Sequence, residues 1–186
     1  MTRAATAKPK LIAVDGIEAS AILAAAKAAL AASTPRTPEA RGGISRWDAS
    51  GIFQDLAVAD VEAGVPSART LLLLYAADLA FRLRWQIRPA LAEGRTVVVA
   101  PYVETAMAFG RAAGMQAGWL TNLFTFAPRA SERHFVHPRE GHITGAHGGF
   151  VAFACDRASG GSSSRIRRRM LEQTAAHLRR AATRRR

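Results

Sequence analysis

Asp15, Gly16 and Glu18 stand together in "AVDGIEAS" (13–20), where a short apolar run gives way to an alanine-rich segment. A strand, a glycine turn and a helix make up the corner that grips phosphate in the pattern G-x-x-x-x-G-K-[ST]. There the glycines let backbone N–H groups curl around phosphate oxygens, the lysine neutralises the outer phosphates and the hydroxyl holds magnesium. With the pattern started at Gly16, the second glycine falls on Ala21, the lysine on Ile22 and the hydroxyl on Leu23. An isoleucine cannot offset triphosphate charge and a leucine cannot hold a metal, so the motif alone reads as a plain strand–helix corner. Asp15 and Glu18 could still hold a cation or a ribose-like hydroxyl. The plainer reading is a turn acid that caps the following helix, with Ser20 as its N-cap.

Other reactive residues are less constrained. His134, His137, His142 and His147 lie within fourteen residues, but no cysteine or i,i+4 helical pair joins them, so no metal site is expected. Cys155 could be a thiol nucleophile, yet it ends an apolar run and reads as an inert core cysteine. Asp78 reads as a structural helix acid. Trp47, Trp85 and Trp119 could be stacking platforms for bases, but helical spacing around Trp85 and Trp119 favours core packing.

These residues need elements to hold them. "KLIAVD" (10–15) and "RTVVVA" (95–100) read as buried strands, "RHFVH" (133–137) as a weaker one and "FVAFAC" (150–155) as the last. Helices are expected over 21–32, roughly 48–63, 68–93, 104–114 and 118–127. In the third, Pro89 should kink or split the helix and Gly94 should cap its end. A final helix, 165–182, should turn Ile166, Met170, Thr174, His177, Leu178 and Ala181 inward. Segments 33–43 and 137–149 read as loops. Strands separated by helices, nearly continuous in apolar residues, imply one α/β domain over 10–182: a three-layer α/β/α sandwich around a parallel sheet. Residues 1–9 read as a disordered leader and 183–186 as a basic tail. No internal repeat is present.

Forty-nine per cent of the 186 residues are hydrophobic, enough for one real core. "LLLLYAADLAF" is too short to span a bilayer and runs into Arg82 and Arg84. No signal-type block adjoins the N-terminus and one cysteine allows no internal disulfide, so the expected location is cytoplasmic, with no membrane partner. The net charge of +12 is concentrated at the end: residues 157–186 carry ten arginines against Glu172 alone. Arg165, Arg167, Arg168, Arg169, Arg179 and Arg180 could form a patch for nucleic acid or another polyanion. The plainer reading, a solvated arginine-rich helix, is favoured.

Two stretches resemble the thymidylate kinase family. "AVDGIEAS" is similar to the Glu-Gly-Ile-Asp-Gly-Ser-type opening of its first strand and turn. Residues 71–114, "LLLLYAADLAFRLRWQIRPALAEGRTVVVAPYVETAMAFGRAAG", are similar to the family's middle almost without gaps. That middle runs from a Leu-Leu-x-x-Ala-Ala-Asp-Arg helix through Ile-x-Pro-Ala-Leu to a strand ending in Asp-Arg-Tyr and a Val-Asp-Ser-Ser-x-Ala-Tyr-type helix. The resemblance implies a phosphate-loop nucleoside-monophosphate-kinase fold, a kink at Pro89 and a dimer. It also implies transfer of phosphate from ATP, with magnesium, to dTMP.

Carried over residue by residue, the likeness loses its charge. The Asp and Arg of Asp-Arg-Tyr fall on Ala100 and Pro101, and only Tyr102 survives. The arginine that contacts the monophosphate falls on Leu79. The Asp after Tyr-Val is Glu104, and the aromatic deeper in that helix is Phe109. The family's arginine-bearing lid is reduced to "HPREGHITGAHGG", with Arg139 its one arginine. Phosphoryl transfer rests almost wholly on positioned charge and metal. The expectation is a thymidylate-kinase-like protein without catalytic residues, cofactor or metal, acting by binding or regulation. A residual nucleotide pocket would then draw on Asp15, Gly16, Glu18, Ser20, Tyr102, Glu104 and Phe109. If that pocket is filled, the chain is a scaffold that pairs with itself or with an active kinase. The alternatives are an active nucleotide kinase with an atypical site, using ATP and magnesium, and nucleic-acid binding through the arginine-rich helix. A lysine or arginine from elsewhere in the chain, reaching beside Ile22 with triphosphate bound, would defeat the leading reading.

Overall fold

The computed structural model describes residues 9–33, 42–58, 64–137, 148–159 and 164–184. Residues 1–8 of the expected leader 1–9, most of both expected loops and the last two arginines lie outside the described residues. With them lie His142, His147, Arg139 and the shortened lid. β1 (Leu11–Asp15) is buried along its whole length, as its unbroken apolar run requires. α1 (Ala19–Ser33) follows, then β2 (Gly43–Arg46), α2 (Ile52–Val58) and α3 (Ala68–Arg82). A π-helical turn, Leu83–Ile87, leads into α4 (Arg88–Ala92). β3 (Val97–Ala100), α5 (Val103–Ala112), α6 (Ala117–Leu123), β4 (Glu132–Phe135), α7 (Gly149–Ala158) and α8 (Ser164–Thr183) complete the order.

The four strands form one parallel sheet in the order β2-β3-β1-β4, with Leu11 opposite Val97 and Ile12 opposite Glu132. Alternation along the strands sorts side chains to two faces. Ile12, Val14, Val98 and Ala100 pack with Ile22, Ala26 and Ala29 of α1. Leu11, Ala13, Val97 and Val99 pack against the larger cluster that includes α3, α5, α7 and α8. This is the three-layer parallel architecture expected, with helices on both faces. No described helix is long and apolar enough to cross a membrane.

Several local expectations are corrected. Phe150–Cys155 is helical rather than the last strand: Phe150, Val151, Ala154 and Cys155 form a buried stripe at helical spacing, and Asp156 is exposed. Phe150 is the hub of an aromatic cluster, 4.4 Å from Tyr75 and 5.5 Å from Phe109 between ring centroids. β2, which starts at the end of the expected 33–43 loop, was not foreseen and owes its strand geometry to pairing with β3. The interruption expected at Pro89 is present as the π turn that separates α3 from α4. Arg88 N–H reaches back to Leu83 O in this turn, which widens the helix where the proline ring would crowd a carbonyl. Trp85, expected in the core, projects from that turn 65% exposed. Finally, α8 is rotated from the expected face: Leu171, Thr174, Ala175 and Leu178 are buried, whereas Ile166 is half exposed. Gly94 ends α4 as expected, with φ +79°, and the Gly94 and Arg95 N–H groups bond Leu91 O and Ala90 O.

Candidate functional site

β1 and β3 lie side by side, and the helices after them, α1 and α5, leave to opposite faces of the sheet. The carboxyl ends of such a strand pair form the crevice where parallel α/β sheets bind ligands. Asp15 is the last residue of β1, 1% exposed. Its odd position turns it away from α1 and toward α5. Its Oδ1 accepts from the Tyr102 N–H at 3.0 Å, the Thr105 N–H at 2.9 Å and the Thr105 hydroxyl at 2.7 Å. Tyr102 is the N-cap residue of α5 and Thr105 its third residue. Asp15 is therefore the cap of α5, supplied from another strand, and not of α1 as the turn reading had it. Burial pushes its carboxyl up from 3.8 to about 6, opposed by the Thr105 hydrogen bonds and helped by the nearby Glu104 charge.

Gly16 donates its N–H to Thr105 Oγ1 at 3.1 Å. A Cβ there would stand 2.9 Å from Ile22 Cγ1 and 3.1 Å from Val136 O, so the position needs glycine for close approach. Ser20 is not the N-cap: α1 starts at Ala19, and the Ser20 hydroxyl donates to Glu18 Oε1 at 2.8 Å. Tyr102 is buried, donates to Pro128 O at 2.6 Å, and burial pushes its hydroxyl up to about 12. Glu104 Oε1 accepts from Arg133 at 3.0 Å, while Phe109 is fully buried. Of the seven candidates, Gly16 and Ser20 line the crevice, and Asp15, Tyr102 and Phe109 are committed to the interior.

The crevice is a cavity of about 150 Å³ between the starts of α1 and α7, the ends of β1, β2 and β3, and Thr105. Ile22 and Leu23, at the lysine and hydroxyl positions, are among its walls with Ile17, Ala100, Pro101 and Phe150. Arg46 and Trp47 also line it. Arg46 was not a site candidate in the sequence and Trp47 was weighed only as a stacking platform for bases, because only the pairing of β2 with β3 brings them to this cavity. Arg46 is exposed at the mouth and, among the described residues, has no ion-pair partner.

Behind Pro101 lies a buried charge pair. Asp78 and Arg82 are both fully buried with Arg82 Nε 2.9 Å from Asp78 Oδ2, and Arg82 Nη1 donates to Pro101 O at 3.3 Å. Asp78 also accepts from the Asp48 and Ser50 N–H groups, each at 3.0 Å, so it is the structural acid expected and ties the chain after β2 to α3. Leu79, at the position of the monophosphate arginine, is fully buried. Cys155 is buried, and desolvation pushes its thiol up to about 12, which leaves it inert. No group of three or more metal-ligating side chains occurs among the described residues. Of the arginine patch, Arg165, Arg168, Arg169, Arg179 and Arg180 are exposed, Arg168 pairs with Glu172, and Arg167 pairs with Asp156.

No protein-family model matches the chain. A protein of Pyrococcus horikoshii described as "Probable thymidylate kinase" is 40% identical over 57 residues, which are 31% of this chain and 28% of that protein. The chain thus spans less than a third of that relative's length in the match. The crystal structure of thymidylate kinase from Ehrlichia chaffeensis superposes with a TM-score of 0.61 over 70% of this chain and 72% of that one, at 13% identity. The chain has the parallel α/β fold of that thymidylate kinase structure and, over 57 residues, is similar in sequence to a probable thymidylate kinase.

Proposed function

We propose that this protein is a thymidylate-kinase-like chain that has lost phosphoryl transfer and works by binding or regulation. One observation carries the reading. At the corner where a triphosphate would be gripped, Ile22 and Leu23 line the cavity, and the Gly16 N–H is already bonded to Thr105. A catalytic corner needs free amides, a buried cation and a metal-holding hydroxyl. The removal of one such group commonly costs ~10²–10³ in rate, and here several are replaced together. The test is steady-state phosphorylation of dTMP by the full chain with ATP and magnesium, where no turnover above buffer is expected. Turnover abolished by Asp15→Asn or Glu18→Gln would defeat the proposal.

The regulatory role is a pairing scaffold, with itself or with an active kinase. Leu73, Phe81 and Trp85 favour it, being exposed large hydrophobics at four- and eight-residue steps along α3 and the π turn. The residual nucleotide pocket of Asp15, Gly16, Glu18, Ser20, Tyr102, Glu104 and Phe109 ranks below it, since most of these groups are taken up internally. Arg46 favours the active-kinase alternative to the extent of one cation at the mouth. The exposed arginines of α8 favour a polyanion partner, and nucleic acid bound that way would dissociate steeply as salt rises. Calorimetric titration with dTMP, ATP and DNA separates these readings.

A further inference from the structure

The cavity that replaced the phosphate corner has a character of its own. Its walls are mainly hydrocarbon: Ile17, Ile22, Leu23, Ala100, Phe150 and Val151. Its volume is about 150 Å³. An apolar cavity engineered at about that size in another protein stays dry and binds benzene. A ligand's apolar body of benzene size therefore fits these walls.

The charge around the mouth has one sign of deficit. α1 and α7 both begin there, with no acid in the first turn of either. Their ends are in contact: a Cβ on Gly149 would stand 3.1 Å from Ala19 Cβ. Two helix N-termini set together raise the local positive potential. Arg46 stands at the same opening without an ion-pair partner among the described residues. The acids nearby do not line the cavity: Glu18 accepts from Ser20, and Asp15 is turned to α5. Glu18 caps α1 and offsets that helix end, so Arg46 and the α7 N-terminus remain to match a single negative charge, whereas a triphosphate with its metal needs more than the corner holds.

We propose that this cavity binds a small apolar monoanion, an aromatic or branched aliphatic carboxylate of about benzoate size. Its hydrocarbon part would lie against Ile22, Leu23 and Phe150 and its carboxylate at Arg46. This rests on the reading that the corner no longer serves phosphoryl transfer and names the ligand class of that same site.

The test uses the full chain and three probes, followed by calorimetry and by thermal shift. Benzoate supplies body and charge, benzene the body alone, and inorganic phosphate the charge alone. The expectation is saturable benzoate binding with a Kd on the order of 0.1–1 mM, weaker benzene binding and none by phosphate. Arg46→Met should weaken benzoate about tenfold and leave benzene unchanged. Leu23→Trp should block both, with its thermal unfolding showing that it remains folded. The proposal is overturned if benzoate does not saturate, if Arg46→Met leaves its affinity unchanged, or if phosphate competes equally. Turnover of dTMP with ATP would instead overturn the underlying reading, and the two failures are read in separate assays.

Discussion

The pH dependence of stability at Asp15 can be worked from the geometry. Three donors converge on Oδ1, two of them N–H groups at the start of α5. Asp15→Ala leaves them without an acceptor in a site closed to water, at a cost of about 3–5 kcal/mol. Asp15→Asn keeps an uncharged acceptor in the same place. The wild-type carboxyl titrates near 6 in the fold and at 3.8 in the open. The fold thus binds its proton more tightly by about 3 kcal/mol. Because the folded value is the higher one, this stabilisation is complete below 3.8 and is lost as pH rises through 6. About 2 kcal/mol of it disappears between pH 4.5 and 8. Urea denaturation followed by tryptophan fluorescence should show Asp15→Asn gaining on the wild type by that amount across the interval. A difference that stays flat, or an Asp15→Asn protein as unstable at pH 8 as Asp15→Ala, would refute the argument. The first result would mean that folding does not shift the carboxyl, and the second that α5 requires the ionised carboxylate rather than a neutral acceptor.

Three further outcomes follow from packing and charge. Arg82→Ala leaves Asp78 buried beside no cation and should cost about 3–5 kcal/mol in urea, and a loss under 1 kcal/mol would contradict the network. Gly110→Ala places a Cβ 2.4 Å from Leu120 Cδ2 and should lower stability by about 1–3 kcal/mol, read as a fall in melting temperature. Ile22→Lys returns the charge type of a phosphate loop to a side chain only 5% exposed. It should destabilise the fold by about 1–3 kcal/mol without producing ATP turnover, and measurable phosphorylation of dTMP would count against the account.

Much of the fold was legible because single elements carried their own signals. β1 and β3 are short unbroken apolar runs beside glycine or proline, and α1 is alanine-rich. Phe150–Cys155 was misread for a physical reason: a strand buried on both faces and a buried helix share a continuous apolar sequence. "GISR" shows no strand pattern of its own, since only Ile44 is apolar, and its geometry comes from the neighbour it pairs with. That also hid the site, because Arg46 and Trp47 reach the cavity only through this pairing. The losses at Ile22, Leu23, Ala100 and Pro101 were readable, since each position of a phosphate-handling motif demands one chemistry. The uses found for Asp15 and Arg82 were not, because both depend on partners distant in the fold or on burial that a charged residue does not announce. Trp85 was missed because the π turn displaces the helical face on which its spacing had been read.

Direct titration of the full chain with magnesium ATP, followed by calorimetry, bears most closely on the claim that the corner has given up its grip on triphosphate. The account predicts no saturable heat, and so no Kd tighter than about 1 mM. A micromolar Kd that is lost in Arg46→Met would contradict it.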